Sequence, residues 1–356
     1  MIYYLVHQQH GYTVDRYLNG FGAPLRERIT ILPYEYLAGM PRLQAGTYVF
    51  SDVERLSRRE TAAADSLWNA LSSSGIACVL NHPTRSMKRY ELLRTLHARC
   101  INSFDVYRLT ESRAPKRFPV FLREENEHNG SLTGLLQTPD ELEEAVEAAL
   151  ASGINREECL VVEFCDTSDC RGTFRKYTAC KIGDRIIPTH ILFGDRWMLK
   201  TTPVDYEGSI GEEQVAAETA EQAQFVYDNP HEGELRRVFE LAHVDYGRID
   251  YSMLDGKMQV WEINSNPNIL GHSALRPGRE QMAHHAADQM LAAFAEIDSL
   301  AGGRGSMPNP LRDGVFSRSV SQGGKAGLRG GMALLGLGRY GRAVESKVSP
   351  LGRLLR

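Results

Sequence analysis

A chain of 356 residues with 42% hydrophobic and 24% charged side chains has the composition of a globular protein with room for two or three domains, which excludes a disordered, fibrous or disulfide-stapled chain. No stretch reaches the roughly 18 apolar residues that cross a bilayer, and Met1–His10 lacks a basic leader region, so it reads as a first strand and a cytoplasmic protein is expected. The net charge of −4 hides an asymmetry: from Ala301 to Arg356 ten Lys and Arg face two acids, a balance of +8 that leaves −12 for residues 1–300. The six cysteines form no Cys-x-x-Cys pair; reduced thiols are expected, and the cluster Cys159, Cys165, Cys170 and Cys180 does not have zinc-site spacing.

Ile2–Val6 and Thr47–Asp52 read as strands. The helix Arg58–Ser73 follows, with Ala63, Leu67 and Leu71 recurring every four residues, then a stop at Gly75 and the strand Ile76–Leu80. This alternation predicts a small three-layer α/β domain. A helix from Lys88 to Arg99 leads to the strand Phe118–Arg123 and a polar loop, Glu124–Leu132, holding Asn129, Gly130 and Ser131. Thr138, Pro139 and two acids open a helix whose face is Leu142, Val146 and Leu150. Leu160–Phe164 is a strand. Phe174–Lys181 and Arg185–Phe193 form a hairpin turning at Gly183 and Asp184. Helices are predicted over Glu212–Val226 and Glu232–Ala242, and a second hairpin over Tyr246–Asn264. From Ala301 the glycine-rich basic segment is expected to be a disordered tail, apart from a short helix over Met332–Leu337. Its charge suits an acidic partner such as anionic lipid, RNA or a protein.

The strongest chemical signal lies in the second hairpin. Residues two apart in a strand share a face, so Arg248 and Asp250 lie together, and so do Glu262, Asn264 and Asn266, while Ile249, Tyr251, Trp261 and Ile263 point into a core. A two-residue turn would pair Asp250 with Trp261 and split the carboxylates between faces; a three-residue loop, Leu254–Gly256 with a bulge, would put them on one side, and this longer loop is the expectation. Facing carboxylates repel unless a counter-charge is present. Their hard oxygens, with an Asn carbonyl beside them, suit Mg²⁺.

This hairpin, ending in Glu262-Ile263-Asn264-Ser265-Asn266-Pro267, resembles the metal-binding hairpin of the ATP-grasp superfamily, which includes glutathione synthetases, D-alanine ligases and ribosomal-protein glutamate ligases. The resemblance covers roughly residues 75–272. It implies an α/β (α+β) ATP-grasp fold: an N-terminal three-layer α/β domain over 1–110, a small lobe over 111–165, a large lobe with the metal site over 166–300, and the tail over 301–356. It makes Asp250 a ligand of one Mg²⁺, Glu262 a bridge between two, and Asn264 a ligand of the second. Arg123 stands where the family usually has a lysine for the α-phosphate. Gly130 and Ser131 belong to the loop that covers the phosphates, and Glu163 and Phe164 to the linker that binds adenine or ribose. Lys176, His190 and Lys200 would present charge to the β- and γ-phosphates, with Arg248 completing the catalytic set. His272 is a weaker candidate for touching substrate.

The implied activity is ATP- and Mg²⁺-dependent joining of a small-molecule or peptide carboxylate to an amine through an acyl phosphate. The acceptor is expected between the N-terminal domain and Asn264–Ser273. A kinase acting on a hydroxyl and a nucleotide-binding protein without turnover are the alternatives. No specific nucleic-acid site is evident, and a homodimer is compatible with these features.

Overall fold

Short apolar runs separated by turn residues build a parallel sheet from the first 80 residues. In chain order its elements are β1 (Ile2–Val6), α1 (Tyr12–Leu18), β2 (Ile29–Pro33), α2 (Tyr34–Leu37), β3 (Arg42–Gln44), β4 (Gly46–Phe50), α3 (Arg58–Ser73) and β5 (Ala77–Leu80). The sheet order is β2-β1-β4-β5, all parallel. The computed structural model describes residues 1–111, 114–127, 130–269, 278–301, 303–311, 315 and 316, all within the unit Met1–Ser317. His128, Asn129, Gly271 and His272 lie outside the described residues, as do 317–356 with the helix expected at 332–337.

Alternation along β1 serves two layers. Ile2, Tyr4 and Val6 pack with Val14 and Tyr17 of α1. Leu5, with Tyr48 and Phe50, faces Leu37 of α2 and Ala64, Leu67 and Leu71 of α3. This is the three-layer arrangement expected. Ser57 caps α3 by accepting from the Glu60 amide while Glu60 reaches back to the Ser57 amide, a reciprocal box that fixes where the helix starts.

Next, α4 (Arg89–Ala98) leads into a small antiparallel sheet of β6 (Val106–Arg108), β7 (Val120–Glu124) and β8 (Cys159–Glu163), in the order β6-β8-β7. One face, with Val120, Leu122 and Val161, is covered by Leu142 and Val146 of α5 (Pro139–Ala151). The other, with Phe121, Leu160 and Val162, turns towards Trp197 and Trp261.

A larger sheet follows from β9 (Phe174–Ile182), β10 (Arg185–Gly194), β11 (Tyr246–Leu254) and β12 (Lys257–Asn264), in the order β10-β9-β11-β12 and antiparallel throughout. Between β10 and β11 the chain forms α6 (Val204–Ser209), α7 (Glu212–Asp228) and α8 (Glu232–Ala242). Tyr177, Ala179, Ile249 and Tyr251 bury one sheet face against Phe225 of α7 and Leu235 and Phe239 of α8. A further helix that the sequence reading did not identify, α9 (Glu280–Ser299), carries Ala286, Met290, Phe294 and Ile297. These pack at once on Ile2 and Tyr4 of the parallel sheet and on Cys180, Ile182 and Ile187 of the larger one, so the two sheets share one core.

The segment expected as tail from Ala301 begins as folded chain. β13 (Ser306–Pro308) pairs with β3, Asn309 donates to the carbonyls of Leu37 and Met40, and Phe316 is buried with its ring 5.2 Å from that of Tyr34. Gly303 permits the approach: a Cβ there would lie 2.6 Å from Ile76 Cα. The apolar residues Met307, Leu311, Val315 and Phe316 are spaced too irregularly among Gly, Pro and Arg to signal a strap by periodicity. Among the described residues no helix is long and apolar enough to cross a membrane.

Candidate active site

The hairpin β11–β12 turns through two residues, Asp255 and Gly256, both at positive φ (49° and 73°), with Leu254 opposite Lys257. The three-residue loop expected from the sequence is thus not present. The carboxylates nevertheless share a face, because the extra residue sits within the strand: the register slips between Asp250 and Tyr251, Trp261 is bulged out, and Asp250 pairs directly with Glu262. A second slip between Pro188 and His190 realigns the opposite edge. Together they produce a single row across all four strands, His190, Thr178, Asp250 and Glu262, each the direct partner of the next. Lys176, Arg248 and Asn264, two residues away along their strands, lie on the same face.

Asp250 is buried and held by cations: Lys176 Nζ lies 3.2 Å from Oδ2, and Arg248 Nε donates to Oδ1 at 3.1 Å. Burial pushes its carboxyl up, but the charges of Arg248 and Lys176 outweigh this and hold it below the ordinary value. Glu262 is paired with Arg89 and, at 3.3 Å, with Arg123. Arg123 is itself buried; desolvation and the neighbouring Arg89 bring its guanidinium down to about 10. Asn264 Oδ1 accepts from the amide of Asn266 at 2.9 Å.

This face opens into a cavity of about 420 Å³ whose opposite wall is Phe121 and Arg123 of β7 with Phe164 and Trp197. The ring of Trp197 lies 4.8 Å from that of Phe121 and 5.9 Å from that of Phe164. Its charged lining among the described residues is six cations, Arg55, Arg123, Arg175, Lys176, Lys200 and Arg248, against three carboxylates, Glu127, Asp250 and Glu262. Such a surplus in a concave site favours an anion. Of the acids in the loop after β7, Glu125 turns away to Arg108, accepting from Nη2 at 2.8 and 2.7 Å, and Glu127 lines the cavity. Gly130 lies against Lys200; a Cβ there would come within 2.6 Å of Lys200 Cε.

Three expected residues are not part of this lining. Glu163 lies on the face of β8 shared with Val161 and Cys159, beneath α5 and away from Phe121 and Arg123. Its carboxylate there accepts from Asp105 N (3.1 Å), Tyr107 Oη (2.8 Å), Lys116 N (3.1 Å) and Arg117 Nε (3.2 Å). The expectation that this side chain meets adenine or ribose is therefore corrected, while Phe164, one residue on, does line the cavity. His190 is on the edge strand of the row and not among the lining residues. Desolvation and the charge of Arg248 lower its imidazole to about 4, so it is neutral near pH 7 in the ligand-free chain. Ser131 is half-buried and likewise not part of the lining.

The structure adds Arg89, which the sequence reading had only within a helix. It is buried at the first turn of α4, bonding the carbonyls of Glu124, Glu125 and Glu127 as well as Glu262. A cation at a helix N-terminus opposes the helix dipole, and that misplacement was the available signal. The cavity also reaches His10, Thr13 and Arg55, in the segments that follow β1 and β4.

No family model and no curated protein matches the chain. Among solved structures it is similar to D-alanine–D-alanine ligase from Bacillus anthracis complexed with ATP (13% identity, TM-score 0.46, covering 85% of this chain and 99% of that one). It is also similar to VanG D-Ala:D-Ser ligase from Enterococcus faecalis (13%, 0.46, 82% and 98%) and to a RimK domain ATP-grasp protein from Sphaerobacter thermophilus (16%, 0.45, 82% and 98%). At these identities the likenesses concern the path of the chain alone.

Proposed function

We propose that the chain is an ATP-grasp ligase that uses ATP and Mg²⁺ to join a carboxylate to an amine through an acyl phosphate. The observation that carries this reading is the row in which Asp250 and Glu262 stand side by side at the wall of a cation-rich cavity. Among the described residues no group of three or more His, Cys, Asp or Glu side chains comes together in a way that would hold a metal; two carboxylates and an amide remain. The donors are all hard oxygens, and Asn264 Oδ1, with one bond accepted, keeps a second lone pair. This donor set fits Mg²⁺ arriving with a polyphosphate, since the cationic lining disfavours a bare dication.

Asp250, Glu262 and Asn264 would hold the metal, with Glu262 shared where two ions bind. The ion supplies neutralisation of the phosphate oxygens around the transferred phosphoryl group. Lys176, Arg248, Arg123 and Lys200 would bind the triphosphate and stabilise charge as the substrate carboxylate attacks the γ-phosphorus. Phe121, Phe164 and Trp197 offer an apolar wall for the base. The chain's share of the chemistry is positioning and charge, with no enzyme nucleophile.

The test is a screen of carboxylate and amine pools with ATP and Mg²⁺, read by mass. A ligase releases free phosphate together with an amide. Phosphate retained on an acceptor would identify a kinase instead, and ATP binding with no product from any pool would identify a non-catalytic nucleotide binder. Asp250→Asn and Glu262→Gln should each abolish Mg-dependent turnover while leaving the circular dichroism spectrum unchanged.

A further inference from the structure

Away from the carboxylate row the cavity has a second polar end, built by the parallel sheet. β1 and β4 are adjacent, so the segments leaving their carboxyl ends lie side by side, which is where open α/β sheets hold ligands. The first supplies His10 and Thr13; the second supplies Asp52 and Arg55. Asp52 is 0% exposed and sits at a left-handed φ of 59°, a conformation that costs a non-glycine residue energy and collects at functional sites. Its two oxygens are divided between two cavity-lining side chains. His10 Nδ1 lies 2.5 Å from Oδ2, and Arg55 Nη1 donates to Oδ1 at 2.6 Å.

A carboxylate can only accept here, so Nδ1 carries a proton and Nε2, which has no hydrogen-bond partner among the described residues, is the ring atom left for a ligand. Burial raises the Asp52 carboxyl, yet the bond from His10 and the charge of Arg55 prevail and hold it below its ordinary value, so it stays ionised and keeps both partners oriented. This end is also tied to the metal row. Asn266 accepts from Tyr4 Oη (2.9 Å) and Thr13 Oγ1 (2.6 Å), donates to the His10 carbonyl (3.4 Å), and its amide donates to Asn264 Oδ1 (2.9 Å).

The geometry points to His10 as the base that takes a proton from the acceptor amine, and to Arg55 as the clamp for a carboxylate on that same acceptor. The amine substrate is then an amino acid, or another compound with amine and carboxylate on one short frame. This inference rests on the ligase reading above. The acceptor arrives as an ammonium and gives one proton to His10 Nε2. The freed lone pair forms the C–N bond to the acyl carbon, and the C–O bond to phosphate breaks with its electron pair leaving on the phosphate. The second nitrogen proton goes to that phosphate and the third stays on the amide nitrogen. The products are an amide, hydrogen phosphate and one proton released later from His10.

The full-length chain is tested in two assays with ATP, Mg²⁺ and a panel of carboxylic acids. In the first, hydroxylamine traps the acyl phosphate as a hydroxamate; it is unprotonated near neutral pH and carries no carboxylate. In the second, the acceptors are the amino acids and their carboxamide analogues. His10→Gln should lower amide formation about 100-fold and hydroxamate formation less than threefold; Asp52→Asn, which keeps the side-chain shape, should give the same split with at least a tenfold loss. Arg55→Met should erase a preference for amino acids over their carboxamides, and Arg55→Lys should restore part of it. Equal losses in both assays, amide formation unchanged in His10→Gln, or a wild type that prefers the carboxamides would each overturn the inference. Absence of hydroxamate from the wild type with every acid would instead bring down the ligase reading, and this inference with it.

Discussion

Replacing Glu163 by Gln separates two roles for one carboxylate. If it is a structural acceptor beneath α5, both oxygens are already committed: Oε1 to Tyr107 Oη and Lys116 N, and Oε2 to Asp105 N and Arg117. A glutamine must turn its NH2 group towards one of these sets, so at least one donor, the Tyr107 hydroxyl on one side or the Asp105 amide on the other, loses its acceptor, and the charge opposite Arg117 disappears. An unsatisfied buried donor costs about 1–3 kcal/mol and a charge-assisted bond contributes about 1.5–3 kcal/mol, so a loss of about 2–4 kcal/mol is expected in urea denaturation at pH 7. The pH dependence has a definite sign. Burial raises the Glu163 carboxyl but the bond from Tyr107 and its other donors hold it below its ordinary value. Its contribution is therefore complete above the unfolded value of about 4.3 and fades as pH falls through the depressed folded value. Wild type and variant should converge in that acid range. ATP affinity measured by titration calorimetry should change less than threefold. A stability change under 0.5 kcal/mol together with a large loss of ATP affinity would refute the structural role and return Glu163 to the nucleotide.

Three further outcomes follow from the charges and the packing. Asp250→Asn should weaken ATP in Mg²⁺ but tighten it in EDTA, because one negative charge leaves the cavity; unit charges about 5 Å apart at an effective dielectric of 20 interact by about 3 kcal/mol, so a tenfold or greater tightening at low salt is expected, and no tightening would mean that the triphosphate does not face this row. Ending the chain at residue 317 should leave the melting temperature unchanged. Ending it at 300 removes β13 and the buried ring of Phe316, a loss on the scale of about 3–5 kcal/mol for a buried Phe, and equal melting temperatures for the two truncations would show that the strap contributes nothing. Gly303→Ala, which sets a methyl 2.6 Å from Ile76 Cα and 2.9 Å from the Gly75 carbonyl, should destabilise by about 1–3 kcal/mol in the same denaturation assay.

What the sequence made legible was the face shared by residues two apart, and hence the company of Arg248 with Asp250 and of Glu262 with Asn264. The bulge at Trp261 that brings the two sets together follows from pairing across strands, which one strand's pattern does not encode. Glu163 shows the same limit: β8 is buried on both faces, so alternation is absent and nothing in Leu-Val-Val-Glu-Phe tells which way the acid points. Helix α9 carries no chemical motif, and its buried face is built largely of alanine and methionine, a weak periodic signal. Arg89 and the pair His10 and Asp52 come together only once elements far apart in the chain are packed. The strap is masked by its composition, because Gly, Pro and Arg outnumber the few apolar residues that fasten it.

The core that α9 shares between the parallel sheet and the larger antiparallel one has a mechanical consequence. Those two bodies are welded through a single apolar seam, so separating them would expose it, whereas β6, β7 and β8 have with α5 an apolar interior of their own. That small sheet is in turn fastened by its other face, where Phe121, Leu160 and Val162 meet Trp197 and Trp261. The carboxylate row and the pair His10 and Arg55 thus stand on bodies glued by one oily joint, so their spacing is set by packing rather than by any hinge between them.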